Sequence, residues 1–132
     1  MIREKALKVV LALVGLLFTA GVYPLVGSVR DTWQANKESA EPMFLSLYVA
    51  LGILLLLAAR NPSENRSLIA FGAWGNIAHA TVMAVMAIHI TTERKGLLIA
   101  AAVFGGIGLL LLVLAPAKQS GGAHVRSGKH RP

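Results

Sequence analysis

Polar side chains that could do chemistry are concentrated in one otherwise apolar stretch of this chain of 132 residues. Asn76, His79, Met83 and Met86 share one face of a predicted helix, because successive residues are rotated by about 100°. The imidazole ordinarily changes charge near neutral pH and could carry a proton. With the two thioethers it could also bind a soft ion such as copper(I), although methionines at helical spacing are usually packing residues. We therefore treat these four residues as the candidate intramembrane polar site.

Two interpretations of this face are open. In the first, Asn76 and His79 form hydrogen bonds to neighbouring helices, as polar residues within a membrane often do. Their candidate partners are Thr19, Tyr23, Ser46 and Tyr48. In the second, Asn76 and His79 line a small pocket for a ligand or a proton.

Recognisable catalytic sets are missing from the sequence. No carboxylate lies in the apolar stretches, and the absence of cysteine excludes thiolate chemistry and thiolate metal sites within the chain. A haem held by two histidines would need a second buried histidine near His79. His89 fails this test, because it lies about 280° round the helix and about 15 Å further along its axis. We expect no enzymatic activity, no metal site and no cofactor.

Four stretches without a charged residue determine the predicted architecture: 9–29, 43–59, 67–90 and 96–115. The chain is 55% hydrophobic and 14% charged, with a mean hydropathy of +0.64, whereas soluble domains carry roughly 25% charged residues. About 20 helical residues cross a hydrocarbon core of about 30 Å, and the leucine runs lack the alternation of a β-barrel. The sequence predicts an all-α polytopic membrane protein, an antiparallel bundle of four transmembrane helices. These helices are expected at about 6–29, 43–60, 63–90 and 95–115.

Glycines indicate where helices pack closely or bend. A small residue lets the backbone of a neighbouring helix approach, and four glycines are predicted to do so: Gly72, Gly75, Gly105 and Gly108. We accordingly expect the substitution Gly75→Leu to disrupt folding. Gly21, Pro24 and Gly27 predict a kink near the far end of the first helix.

The distribution of positive charge predicts the orientation. Nine Lys and Arg residues lie on the side that holds both termini and four on the other side. Both termini are therefore expected in the cytoplasm. The first helix is expected to be retained, since its apolar run exceeds that of a secretory signal. Residues 118–132 are predicted to form a disordered basic tail that touches anionic headgroups. The net charge of +7 lies in helix flanks, so no nucleic-acid partner is expected.

One part of the sequence resembles a known family. The matching pattern is Asn-Arg-Ser-Leu-Ile-Ala-Phe at 65–71, Trp74, Ala-His-Ala at 78–80 and Val-Met-Ala at 82–84. It resembles the core signature of a family of small bacterial membrane proteins catalogued as a domain of unknown function. The layout is more loosely similar to the four-helix DoxX-like proteins. The resemblance implies a four-helix bundle of the bacterial inner membrane, with Arg66, Trp74 and His79 at matching positions, and implies no activity.

The function is the property that the sequence determines least. We expect a small integral membrane protein without catalytic machinery, either a structural or accessory component or one that binds an apolar ligand. The ligand would be a lipid or a quinone beside His79. The alternatives are a homo-oligomeric small-molecule or ion transporter that uses His79, and a redox subunit with a cofactor from another chain. Membrane lipids are the expected partners, together with a homo-oligomer or a larger membrane complex.

Overall fold

The computed structural model of the chain describes residues 2–36 and 39–116, and its regular elements are all α-helices. In chain order these are α1 (Ile2–Ala20), α2 (Val22–Ala35), α3 (Glu41–Ala58), α4 (Arg66–His89) and α5 (Arg94–Leu114). Four stretches of the described chain are long and apolar enough to cross a membrane, with α1 and α2 together forming the first of them. The predicted all-α four-helix bundle is confirmed. The predicted tail, 118–132, lies outside the described residues.

The ends of the helices differ from the predicted ones by a few residues. The third predicted helix was expected from 63, but α4 begins at Arg66 because a buried proline and two tight turns precede it. In these turns the N–H of Glu64 bonds to the carbonyl of Asn61, and the N–H of Asn65 bonds to the carbonyl of Pro62. The first membrane-length stretch runs over Ile2–Ala35, well beyond the expected 6–29.

The predicted kink in the first helix lies at Gly21. Its N–H bonds to the carbonyl of Phe18, three residues back, at 3.1 Å. Pro24 follows within one turn and has no N–H to continue the regular ladder. A Cβ atom at Gly21 would lie 2.8 Å from the Phe18 oxygen, so the bend requires a glycine here. This break divides the long first helix into α1 and α2.

The helices pack as two antiparallel pairs, α1 with α3 and α4 with α5. Glycine contacts hold each pair close. A Cβ at Gly52 of α3 would lie 2.6 Å from the backbone nitrogen of Thr19, and one at Gly108 of α5 would lie 2.7 Å from the carbonyl of Ala73. Between the pairs the contacts are sparser, and they join α1 to α5 and α3 to α4. The looser boundary between α3 and α4 contains a cavity.

Apolar side chains make up both the core and the outside of the bundle. The core cluster consists of Leu7, Leu11, Val14, Phe18, Leu55, Ala58, Ile69, Ala73 and Leu111. On the outside, Trp74, Val85 and Ile88 of α4 are exposed. Ile77 packs against α5, and its Cγ1 atom would lie 2.6 Å from a Cβ at Gly108.

The inward face of α4 is rotated from the predicted one. Its buried residues are Ile69, Gly72, Ala73, Asn76, Ala80 and Ala87. Viewed along the helix axis, the mean direction of these residues is rotated by roughly 60–80° from that of His79, because each successive residue is rotated by about 100°. The small side chains of Ala73 and Ala80 let α5 approach this stripe, so the polar stripe that contains His79 is left beside α3.

Two arginines donate hydrogen bonds to carbonyl groups at the C-terminal end of another helix. The guanidinium of Arg3 donates to the carbonyl oxygens of Val113 at 3.0 Å and Ala115 at 2.9 Å, and so joins α1 to the end of α5. Arg94 donates to the carbonyl of Ala87 at 2.9 Å, at the end of α4. Both positive charges lie where the dipole of a helix is negative, which is a stabilising arrangement.

Candidate functional site

The ring of His79 lies among aromatic rings from two neighbouring helices. It stacks on Phe44 of α3, with ring centroids 4.6 Å apart and 29° between the planes. Phe104 of α5 meets it edge to face at 4.7 Å and 86°. The ring of Tyr48 is 5.6 Å away. His79 is thus held in a fixed orientation at the meeting point of α3, α4 and α5.

This aromatic cluster continues into the core through Phe18 of α1. The Phe18 ring meets Tyr48 edge to face at 4.9 Å and stacks on Phe104 at 6.1 Å. Aromatic pairs of this kind add to the stability that their buried area already provides. The cluster therefore ties the loosely packed helix pairs together on one side of His79.

A cavity of about 420 Å³ lies between α3 and α4, next to the aromatic cluster. Its lining residues are Phe44, Leu47, Tyr48, Ala50, Leu51, Leu54, Leu68, Phe71, Gly75 and His79. The mouth of the cavity opens on the outer surface of the bundle, since Leu47 is 70% exposed and Phe71 is 67% exposed. Lining positions from Phe44 to Leu54 cover about 15 Å along the helix axis, at about 1.5 Å per residue. The cavity is a narrow apolar groove parallel to the helices.

The polar side chains of the groove are at one end. His79 and Tyr48 lie there, whereas Leu54 and Leu68 line the other end. Two hydroxyl groups of the helices bond within their own helix, Ser46 to the carbonyl of Met43 at 2.6 Å and Thr81 to the carbonyl of Ile77 at 2.8 Å. Within the described part of the chain, neither His79 nor Tyr48 makes a side-chain hydrogen bond. Both groups are therefore available to a ligand in the groove.

The structure separates the four residues of the predicted polar site. Asn76 is fully buried inside the bundle and is not a lining residue of the cavity. Its Nδ2 donates to the carbonyl of Gly72 in the same helix at 2.6 Å, not to another helix. Met83 is half-buried, Met86 is 42% exposed, and neither lines the cavity. Only His79 of the four faces the groove.

The four predicted packing glycines differ in their surroundings. Gly108 is tightly enclosed, as its contact with Ala73 shows. At Gly72 a Cβ would lie 3.4 Å from the Cδ2 of Leu55, and at Gly105 it would lie 3.5 Å from the Cβ of Ala80, both near ordinary contact. At Gly75 a Cβ would meet no atom of another residue within 4 Å. Gly75 borders the cavity and not a neighbouring backbone, so its surroundings do not support the expectation that Gly75→Leu disrupts folding.

Apart from His79, the lining residues of the groove are not marked as a site by the sequence. Phe44 and Tyr48 are one helical turn apart on α3, so their shared face could have been noticed. Their meeting with His79 depends on the rotation of α4, which the sequence does not specify. For metals, the described residues contain no group of three or more His, Cys, Asp or Glu that could hold an ion.

Comparison with known proteins identifies the family. A family of unknown function, DUF6632, matches the chain over residues 2–131, which is nearly its whole length. No curated protein and no solved structure matches it. The chain therefore belongs to DUF6632. This agrees with the resemblance to a domain of unknown function, while the looser likeness to the DoxX-like proteins stays a prediction.

Proposed function

We propose that this member of DUF6632 is a small integral protein of the bacterial inner membrane that binds an apolar ligand in the groove beside His79. The ligand class that the groove accepts is a lipid or a quinone. The observation that carries the proposal is the groove itself, an apolar space with two free polar groups at one end. A structural or accessory role in the membrane is compatible with such binding.

Insertion in the membrane is supported by the outer surface of the bundle. Large apolar side chains are exposed on every helix, including Leu13 of α1, Leu47 of α3 and Val113 of α5. Soluble monomers rarely expose such a surface, whereas hydrocarbon is a good solvent for it. The surplus of Lys and Arg on one side supports cytoplasmic termini.

Ligand binding, not catalysis, is supported by the size and chemistry of the groove. Its volume of about 420 Å³ falls within the roughly 300–1,000 Å³ typical of small-molecule sites. No carboxylate or hydroxyl nucleophile accompanies His79 and Tyr48 among the lining residues. We propose that the chain has no enzymatic activity of its own. The alternative of a homo-oligomeric transporter that uses His79 is favoured by no contact in the described residues, and it stays a prediction.

Mass spectrometry of molecules that co-purify with the protein in mild detergent tests the proposal. We expect a lipid or quinone in stoichiometric amount with the wild type and little of it with Gly75→Leu, because the leucine side chain fills the groove. Gly106→Leu is the matched control, since a Cβ there also meets no atom within 4 Å but Gly106 lies on α5, outside the groove. It should retain the ligand.

Two results would overturn the proposal. One is a wild-type protein without any bound molecule. The other is an equal amount of the same molecule in wild type and Gly75→Leu, which would mean that it binds elsewhere. Circular dichroism and gel filtration of each variant show that it is folded before its ligand is compared.

A further inference from the structure

We infer that the ligand of the groove is a neutral quinone, a flat ring with carbonyl acceptors and an apolar tail. The inference rests on the proposed function and names the ligand class of the same site. It follows from the depth of the polar groups, from their free hydrogen-bond donors and from the shape of the groove.

The depth of the polar end argues against a phospholipid. His79 lies roughly 20 Å from the start of α4, at about 1.5 Å per residue, so it is near the middle of a helix of 24 residues. The apolar end, at Leu54 and Leu68, is close to the loop between α3 and α4. A phospholipid of the leaflet on the side of this loop would need the reverse order, with its headgroup near the loop and its chains at mid-depth.

The cost of burying a charge at this depth limits which ligands the groove can bind. An ionised group near the middle of a bilayer costs several kcal/mol or more. No Lys, Arg, Asp or Glu is present among the lining residues to offset that cost. The head of the ligand must therefore be uncharged, which excludes an ionised fatty acid as well as a phosphate ester.

The unpaired hydrogen-bond donors of the groove favour a ligand that carries a hydrogen-bond acceptor. A neutral imidazole provides one N–H donor and a phenol one O–H donor, and neither His79 nor Tyr48 has a partner in the described part of the chain. Water is scarce in hydrocarbon, so an unpaired donor there is costly. A ring carbonyl can accept from either donor and remains neutral.

The walls of the groove favour a flat ring at the polar end. Phe44 and Tyr48 contribute aromatic side chains there, and aromatic rings prefer to stack on, or lie edge to face with, another flat ring. From Tyr48 the groove continues for about 9 Å past leucine side chains to Leu54, at about 1.5 Å per residue of α3. That space accommodates the beginning of an isoprenoid tail.

Binding of a benzoquinone that carries one isoprene unit tests the inference directly. The probe is titrated into protein purified in detergent and freed of bound molecules, and its affinity is measured from the rise in thermal stability. We expect wild type to bind it and Gly75→Leu to lose binding. Tyr48→Phe and His79→Phe each leave an aromatic ring at the position but remove one donor, and each should weaken binding about fivefold, the effect of one neutral hydrogen bond.

A second ligand separates failure of the inference from failure of the proposed function. The same titration is made with a short-chain phosphatidylglycerol. If that lipid stabilises wild type but not Gly75→Leu, and the quinone has no effect, the groove binds a lipid and the quinone inference is overturned. Absence of any effect from either ligand, with no co-purified molecule, would overturn both. Equal quinone affinity in wild type, Tyr48→Phe and His79→Phe would also contradict the inference.

Discussion

Asn76 is fully buried but does not connect α4 to another helix. Its Nδ2 donates to the carbonyl of Gly72, and its Oδ1 has no partner among the described residues. A buried polar atom without a partner contributes a penalty instead of stability. The interpretation of Asn76 as a hydrogen-bonding link between helices is therefore not supported by its contacts.

Replacing Asn76 by leucine should leave stability unchanged or raise it. The leucine side chain removes the unpaired oxygen and adds apolar contacts. Any loss in the free energy of unfolding should therefore be smaller than about 1 kcal/mol. Asn76→Asp is the control, because it places a carboxylate in the same position and should destabilise strongly. Thermal unfolding in detergent measures both. A loss with Asn76→Leu as large as with Asn76→Asp would contradict this account.

His79 illustrates what can be predicted for one residue and what cannot. Its position near the middle of an apolar helix is evident from the sequence, and so is its potential to bind a ligand. Its neighbours are not evident, because Phe44, Tyr48 and Phe104 come from other helices. Which rings meet the imidazole is decided by how the helices rotate and slide when they pack.

The helices form two closely packed pairs, and the boundaries between the pairs are loosely packed. Gly15 and Gly52 face each other between α1 and α3, where a Cβ at Gly15 would lie 2.9 Å from the carbonyl of Gly52. Gly108 has the corresponding role between α4 and α5. Such contacts bring backbones together without a gap, as small residues do in membrane helices. The α3–α4 boundary has no comparable glycine contact at Gly75, and a cavity is left.

The substitution Gly52→Ala tests this division of the bundle. The new methyl group would lie 2.6 Å from the Thr19 nitrogen and 2.8 Å from the Phe18 Cβ, so α1 must move away from α3. We expect a loss of about 1–3 kcal/mol, the usual cost of overpacking. Thermal or denaturant unfolding in detergent checks it. Gly27→Ala in α2 is the control, since a Cβ there meets no atom within 4 Å; similar losses in both variants would refute the pairing.

The rotation of α4 explains why the sequence predicted the wrong inward face. A polar stripe is expected to point inward because lipid does not solvate it. In the structure a stripe of alanines faces α5, and the polar stripe lies at the boundary with α3. Close approach between α4 and α5 outweighs complete burial of His79, which is half-buried beside the aromatic cluster. Pattern alone does not reveal this competition.

For the whole molecule, the four helices are the most predictable feature. Runs of about 20 apolar residues between charged loops predict them, because few other structures use apolar runs of this length. The order of the helices round the bundle could not be predicted, because several small-residue stripes compete for the same neighbours. The groove depends on that order and so became visible only in the structure.

Cysteine labelling in spheroplasts tests the central claim, that the chain crosses the membrane four times. The chain has no cysteine, so Ser63→Cys, between α3 and α4, and Thr92→Cys, between α4 and α5, each introduce a single reactive thiol. The account predicts that a membrane-impermeant maleimide labels Thr92→Cys in intact spheroplasts and labels Ser63→Cys only after the membrane is opened. Equal labelling of both thiols in intact spheroplasts would contradict it.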